Sequence, residues 1–79
     1  MYLRGFLMSV KKIKIKDGEN YITLNVLLKL TNIISTGGEA KYYLQSNEVL
    51  VNEILENRRG RKLYPGDVVK VEGQEFEII

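Results

Sequence analysis

Apolar and polar residues alternate in KKIKIKDG, with Ile13 and Ile15 on one side and Lys12, Lys14 and Lys16 on the other. A period of two predicts a half-buried strand with a lysine-studded outer face, ended by a turn at Asp17-Gly18. The period changes in TLNVLLKLTNII. Leu24, Leu27, Leu28 and Thr31 fall at i, i+3, i+4 and i+7, which predicts a first helix, and Thr23 is placed to cap its N-terminus. TGGEAKYYLQSN predicts a second helix. Thr36 and Glu39 have capping-box spacing, Ala40, Tyr43 and Leu44 form the buried stripe, and Lys41 and Tyr42 point away from it. Gly37 and Gly38 then fall in the first helical turn, where each costs up to about 1 kcal/mol relative to alanine. Either close packing against a neighbour or the approach of a phosphate to bare N–H groups would offset that cost.

EVLVNEIL reads as two short strands around Asn52-Glu53, and YPGD as a turn. VVKVEGQEFEII predicts a terminal hairpin. With Gly73-Gln74 as its loop, Val71 faces Phe76, Val69 faces Ile78, Lys70 faces Glu77 and Glu72 faces Glu75. Val69, Val71, Phe76 and Ile78 share the core face, while the Glu72–Glu75 juxtaposition is unfavourable. The order strand, helix, helix, strand, strand, basic loop, strand, strand predicts an α+β fold with a small, mainly antiparallel sheet.

Length and composition narrow the functions open to such a fold. A chain of 79 residues makes one domain with a small core. Residues 1–10 are expected to be an N-terminal extension, frayed or preceding a second start at Met8, and residues 11–79 a single domain. The apolar start lacks the unbroken apolar stretch of a signal peptide or membrane span, because Arg4 and Gly5 interrupt it. There is no cysteine and no histidine. That removes disulfides, thiolate nucleophiles, Cys-ligated metals and the commonest general base, and leaves no recognisable catalytic constellation. We expect no enzyme activity, no cofactor, no metal and no small-molecule substrate.

The net charge of +2 hides an uneven layout. Arg4, Lys11, Lys12, Lys14 and Lys16 crowd the first 16 residues without an acid. Arg58, Arg59, Arg61 and Lys62 crowd NRRGRKL, where no acid lies between Glu56 and Asp67. Such a run is either a solvated loop or a docking site for something negative. Cations that reach phosphates release condensed counterions, and arginine also grips phosphate bidentately and stacks on unpaired bases. Gly60 lets the run bend so that cations on both sides face one surface. The lysine face of the first strand, Lys12 and Lys14, either blunts a sheet edge or adds to the same basic surface.

From Tyr21 to Val71 the chain resembles the S-four RNA-binding domain, the family named after the fourth protein of the small ribosomal subunit. The residues that carry the resemblance are a Leu-rich first helix (TLNVLLKLT), a second helix starting near Ser35-Thr36 with an Ala40-Lys41 pair, the strand VLVN, and the Pro-Gly-Asp turn of YPGDVVKV. Within the family it is most similar to small stand-alone bacterial proteins with a GG-x-AK helix start and an NRRGRKL segment. The resemblance implies a two-helix alpha-L motif packed on a small mainly antiparallel sheet. It also implies binding to structured RNA, with ribosomal RNA or a ribosomal subunit as partner, and a cytoplasmic role in ribosome assembly or translation, without a membrane. Carried over by position, the RNA-facing surface comprises Gly37, Gly38, Lys41, Arg58, Arg59, Arg61 and Lys62. Tyr42 is added as a base-stacking candidate, and Lys12 and Lys14 as the basic face of the first strand. Two positions depart from the family pattern. Gly37-Gly38 stands where the family has more polar or basic residues, and Asn52-Glu53 stands for Asn-Gly, which implies a different turn there. The alternatives are a protein–protein adaptor docking through Tyr2, Leu3, Phe6 and Leu7, or an RNA-binding helper acting in trans for an RNA-modifying enzyme.

Overall fold

The computed structural model describes residues 10–79. The apolar segment with Tyr2, Leu3, Phe6 and Leu7 lies outside the described residues. Seven strands and two helices follow in chain order. β1 (Val10–Ile13) is the alternating lysine strand, and Lys12, Lys14 and Lys16 are exposed while Ile15 is buried. β2 (Ile22–Thr23) leads directly into α1 (Leu24–Leu30). Thr23 caps that helix as its spacing predicts, its hydroxyl accepting from the Val26 N–H at 3.3 Å. Such a cap contributes about 1 kcal/mol. Leu24, Leu27 and Leu28 are fully buried. The helix ends where Thr31 turns its hydroxyl back onto the carbonyls of Leu27 and Leu28 and Asn32 takes a left-handed conformation.

α2 (Glu39–Ser46) starts later than the capping-box spacing predicts. Thr36 to Glu39 form a turn, closed by the Glu39 N–H on the Thr36 carbonyl at 3.1 Å, so both glycines precede the helix. The Glu39 carboxylate reaches back to the N–H groups of Ser35 and Thr36 at 2.7 and 2.9 Å. These bonds, the one from Thr36 foremost, hold its pKa below the ordinary carboxylate value. Ala40 and Leu44 are buried, and Tyr43 is half-buried with its hydroxyl donating to Glu72. Tyr43 therefore ties α2 to the terminal hairpin.

β3 (Val49–Val51), β4 (Ile54–Leu55), β6 (Val68–Val71) and β7 (Gln74–Ile78) join β1 in a five-stranded sheet of order β1-β7-β6-β3-β4. Only the β1–β7 pairing is parallel. The α+β, mainly antiparallel expectation therefore holds. β5 (Lys62–Leu63) lies inside the basic run and pairs antiparallel with β2 in a separate two-stranded sheet, which the sequence pattern did not reveal. Leucines of the helices meet Val49, Val51, Val69, Phe76 and Ile78 of the sheet in one core.

The terminal hairpin corrects one expectation. Its loop is Glu72-Gly73, with φ of 51° and 73°, and the register pairs Val71 with Gln74, Lys70 with Glu75 and Val69 with Phe76. A two-residue loop with both residues left-handed matches the twist of the strands, which a Gly73-Gln74 loop would not. The slip is two residues, so Val69, Val71, Phe76 and Ile78 keep the core face, and Glu72 no longer opposes Glu75. The β3–β4 turn is of the same kind. Asn52 and Glu53 have φ of 52° and 70°, the geometry that Asn-Gly adopts, so the turn does not differ as the substitution of Glu for Gly implied.

A left-handed non-glycine costs about 1–2 kcal/mol. Glu53 forms a surface ion pair with Lys70, worth at most about 1 kcal/mol. Glu53→Gly is therefore expected to raise the unfolding free energy by up to about 1 kcal/mol in urea denaturation. A loss instead would show that the ion pair outweighs the backbone strain.

Candidate nucleic-acid interface

The basic segment is built around an acid. Glu56, directly after β4, is 6% exposed, the one charged side chain buried among the described residues. Its carboxylate accepts five hydrogen bonds. Arg58 donates from Nε at 2.9 Å and Nη2 at 3.1 Å, Arg61 from Nη1 at 2.7 Å, and the backbone N–H groups of Asn57 and Arg58 at 3.1 and 3.0 Å. The absence of an acid between Glu56 and Asp67 thus does not leave the run unneutralised, because Glu56 itself folds into it. The Arg58 side chain, which makes the largest contribution, holds the Glu56 pKa at about 2 against burial, which pushes the other way.

This clamp sets the path of the backbone. The carbonyls of Arg59 and Arg61 turn inward and accept from the N–H groups of Asn25 and Leu24, both at 2.9 Å. With Thr23 serving Val26, three of the N–H groups that a helix start leaves open are satisfied. The basic segment is therefore seated on the N-terminus of α1, with the Arg58 and Arg61 guanidinium groups turned onto Glu56. Arg58 remains 70% exposed despite its bonds, and Arg59 and Lys62 are exposed and make no ion pair among the described residues.

Gly37 lies against the same helix end. A Cβ there would meet the Asn25 amide nitrogen at 3.2 Å, so close packing accounts for this glycine. Gly38 is exposed, and a Cβ would meet only Thr36 Oγ1, at 4.0 Å. Asn25 Oδ1 is buried without a hydrogen-bond partner. Lys41 is exposed on α2 and lines a groove with Leu55, Glu56 and Asn57, which brings it beside the basic segment. Tyr42 is 67% exposed and lines a different hollow, with Ile33, Ile34 and Glu39. Lys12 lies level with Glu77 on β1, at the sheet edge opposite β4, and Lys14 follows it, exposed. The fold thus gathers Gly37, Lys41, Arg58, Arg59, Arg61 and Lys62 around the start of α1 and the groove beside α2, and leaves the β1 lysines on the far strand.

Sequence reasoning missed three groups here. In the sequence Glu56 marks only the boundary of the run. Asn52 and Asp67 belong to separate motifs in the sequence, yet the Asn52 amide donates to Asp67 Oδ1 at 3.0 Å, and Asp67 Oδ2 accepts from the Tyr64 N–H at 2.8 Å. Tyr21 and Tyr64 flank the β2–β5 pair, with ring centroids 5.7 Å apart. The alternation Lys62-Leu63-Tyr64, with Leu63 buried, was the available signal for a strand there.

Residues 13–79 match the family model described as S4 domain, a longer stretch than the Tyr21–Val71 span of the motifs. A Bacillus subtilis (strain 168) protein named "Probable ribosome maturation protein RlbA" is 60% identical over 59 residues, covering 73% of this chain and 83% of that protein. No helix among the described residues is long and apolar enough to cross a membrane.

Glu56→Gln is expected to lower the unfolding free energy at pH 7 by about 1.5–3 kcal/mol, the range for hydrogen bonds to a charged group. Because folding depresses this pKa from 4.5 to about 2, the clamp's contribution is complete above pH 4.5 and is lost as pH falls toward 2. Denaturant melts of both proteins between pH 7 and pH 2 should therefore show the gap closing at the acid end. A gap independent of pH would mean that the Glu56 charge does not stabilise the segment.

Proposed function

Because the chain belongs to the S4-domain family, we propose that it is a non-catalytic protein that binds structured RNA. We further infer that this RNA is ribosomal and that the binding serves a step of ribosome maturation in the cytoplasm. The helix pair α1–α2 with its connecting turn takes the part of the alpha-L motif. The phosphate backbone is held by Arg58, Arg59, Arg61, Lys62 and Lys41, with the Gly37-Gly38 turn allowing close approach. The observation that carries the reading is the Glu56 clamp, in which Arg58 and Arg61 hold the run against a helix start and leave Arg59 and Lys62 exposed to solvent. A purely solvated loop needs no buried carboxylate to shape it. The family match supports RNA as the ligand class, and the printed name of the Bacillus subtilis relative supports the maturation step.

Arg58 and Arg61 are poor probes of binding, since they also hold the fold. Arg59 and Lys41 carry no such bonds. Fluorescence anisotropy of a structured ribosomal RNA fragment across a salt series is expected to show log K falling steeply with log salt. In Arg59→Gln/Lys41→Gln the slope should fall by about one to two, with the thermal melt unchanged. An unchanged slope would place the phosphate contacts elsewhere. Absence of salt-dependent binding by the wild type would end the RNA reading.

A further inference from the structure

We propose that Tyr64 is a stacking platform for one unpaired base of the bound RNA, next to the phosphate-binding cations. The proposal rests on the RNA-binding reading and adds to it the kind of RNA: one with an unstacked nucleotide beside a phosphate-rich helix.

Tyr21 and Tyr64 occupy the cross-strand positions next to the Ile22–Leu63 pair. Ile22 and Leu63 point into the core, so the tyrosines on either side point out. They are 37% and 46% exposed. Their rings meet at 50°, a tilted contact in which Tyr21 braces Tyr64 without covering it face to face. Lys62 Nζ sits 5.0 Å from the centre of the Tyr21 ring, so that ring already holds a cation.

Tyr64 instead lines a concavity with Arg58, Gly60, Arg61 and Lys62. One aromatic ring among three cations is the inventory a nucleotide requires. The base takes the ring, the flanking phosphates take the guanidinium and ammonium groups, and Gly60 adds no side chain to obstruct them.

The backbone that carries the ring is also held in place. Its backbone N–H donates to Asp67 Oδ2 at 2.8 Å, and its carbonyl accepts from the Asp67 N–H at 2.9 Å across Pro65-Gly66. Asp67 is in turn anchored by the Asn52 amide. The backbone part of the ordering entropy that stacking would otherwise cost is thus already met in the free protein.

Two labelled RNA probes with equal numbers of phosphates test the proposal: a blunt duplex, and a hairpin with a short single-stranded adenine overhang carrying the base analogue aminopurine. The wild type is expected to prefer the overhang probe and to quench its aminopurine on binding. Tyr64→Leu should reduce overhang binding roughly 5- to 150-fold, the range for losing one stacked base. Its salt slope and its affinity for the duplex should not change. Tyr64→Phe keeps the ring and should keep the preference. Equal affinity for both probes, with no quenching, would overturn the platform while leaving salt-dependent RNA binding intact. Absence of binding to either probe would overturn the RNA reading together with it. Full displacement of RNA by free adenosine monophosphate would make the site a nucleotide pocket and would also overturn the proposal.

Discussion

A carboxylate withdrawn from water must be compensated, and Glu56 is compensated by the cations that would otherwise repel one another. Desolvating an ion costs several kcal/mol unless partners surround it. Here five donors converge on two oxygens, three from the side chains of Arg58 and Arg61 and two from the backbone N–H groups of Asn57 and Arg58. The acid thereby gives the run a single shape. With Arg58 and Arg61 fixed, the carbonyls of Arg59 and Arg61 are aimed at the open end of α1, and the next two residues fall into register with β2. Without that anchor, a segment with four cations in five positions would have no reason to lie against a helix N-terminus, which is itself partly positive.

The segments that carry the family resemblance are also those that touch one another. VLVN and YPGD, separated in sequence, are joined by the bond from Asn52 to Asp67 and by the Val68 N–H on the Asn52 amide oxygen at 3.0 Å. The glycine pair before α2 packs through Gly37 on Asn25 of α1, whose backbone N–H is held by Arg59. The motif residues thus form a scaffold around both ends of the basic segment. One end is set by Glu56 and the other by the Pro-Gly-Asp turn. The side chains offered as RNA contacts project from a path whose two ends and midpoint are bonded to the rest of the fold. That rigidity separates an interface from a charged loop, since it limits the entropy lost when phosphates dock.

Periodicity and local spacing determined much of this molecule from the sequence alone. The alternation around Ile13 and Ile15, the leucine stripe of α1 with its Thr23 cap, the buried Ala40 and Leu44 of α2, and the shared core face of Val69, Val71, Phe76 and Ile78 each depend on neighbours within one element. The family likeness was legible for the same reason, because its motifs are short ordered strings. What only the tertiary structure decided involves partners or backbone angles that no local pattern specifies. The hairpin loop settled on Glu72-Gly73 because two left-handed residues suit the strand twist, although Gly73-Gln74 presents the same core face. The Lys62-Leu63-Tyr64 alternation marks a short strand at most, and no local pattern names β2 as its partner, so the Tyr21–Tyr64 contact across the pair exists only in the folded chain. Glu56 reads as an ordinary polar residue at a strand end, and its burial follows from where Arg58 and Arg61 meet once the chain has turned at Gly60. Local periodicity says which side of an element faces the core, whereas the pairing of charges across a turn depends on distances that exist only after folding.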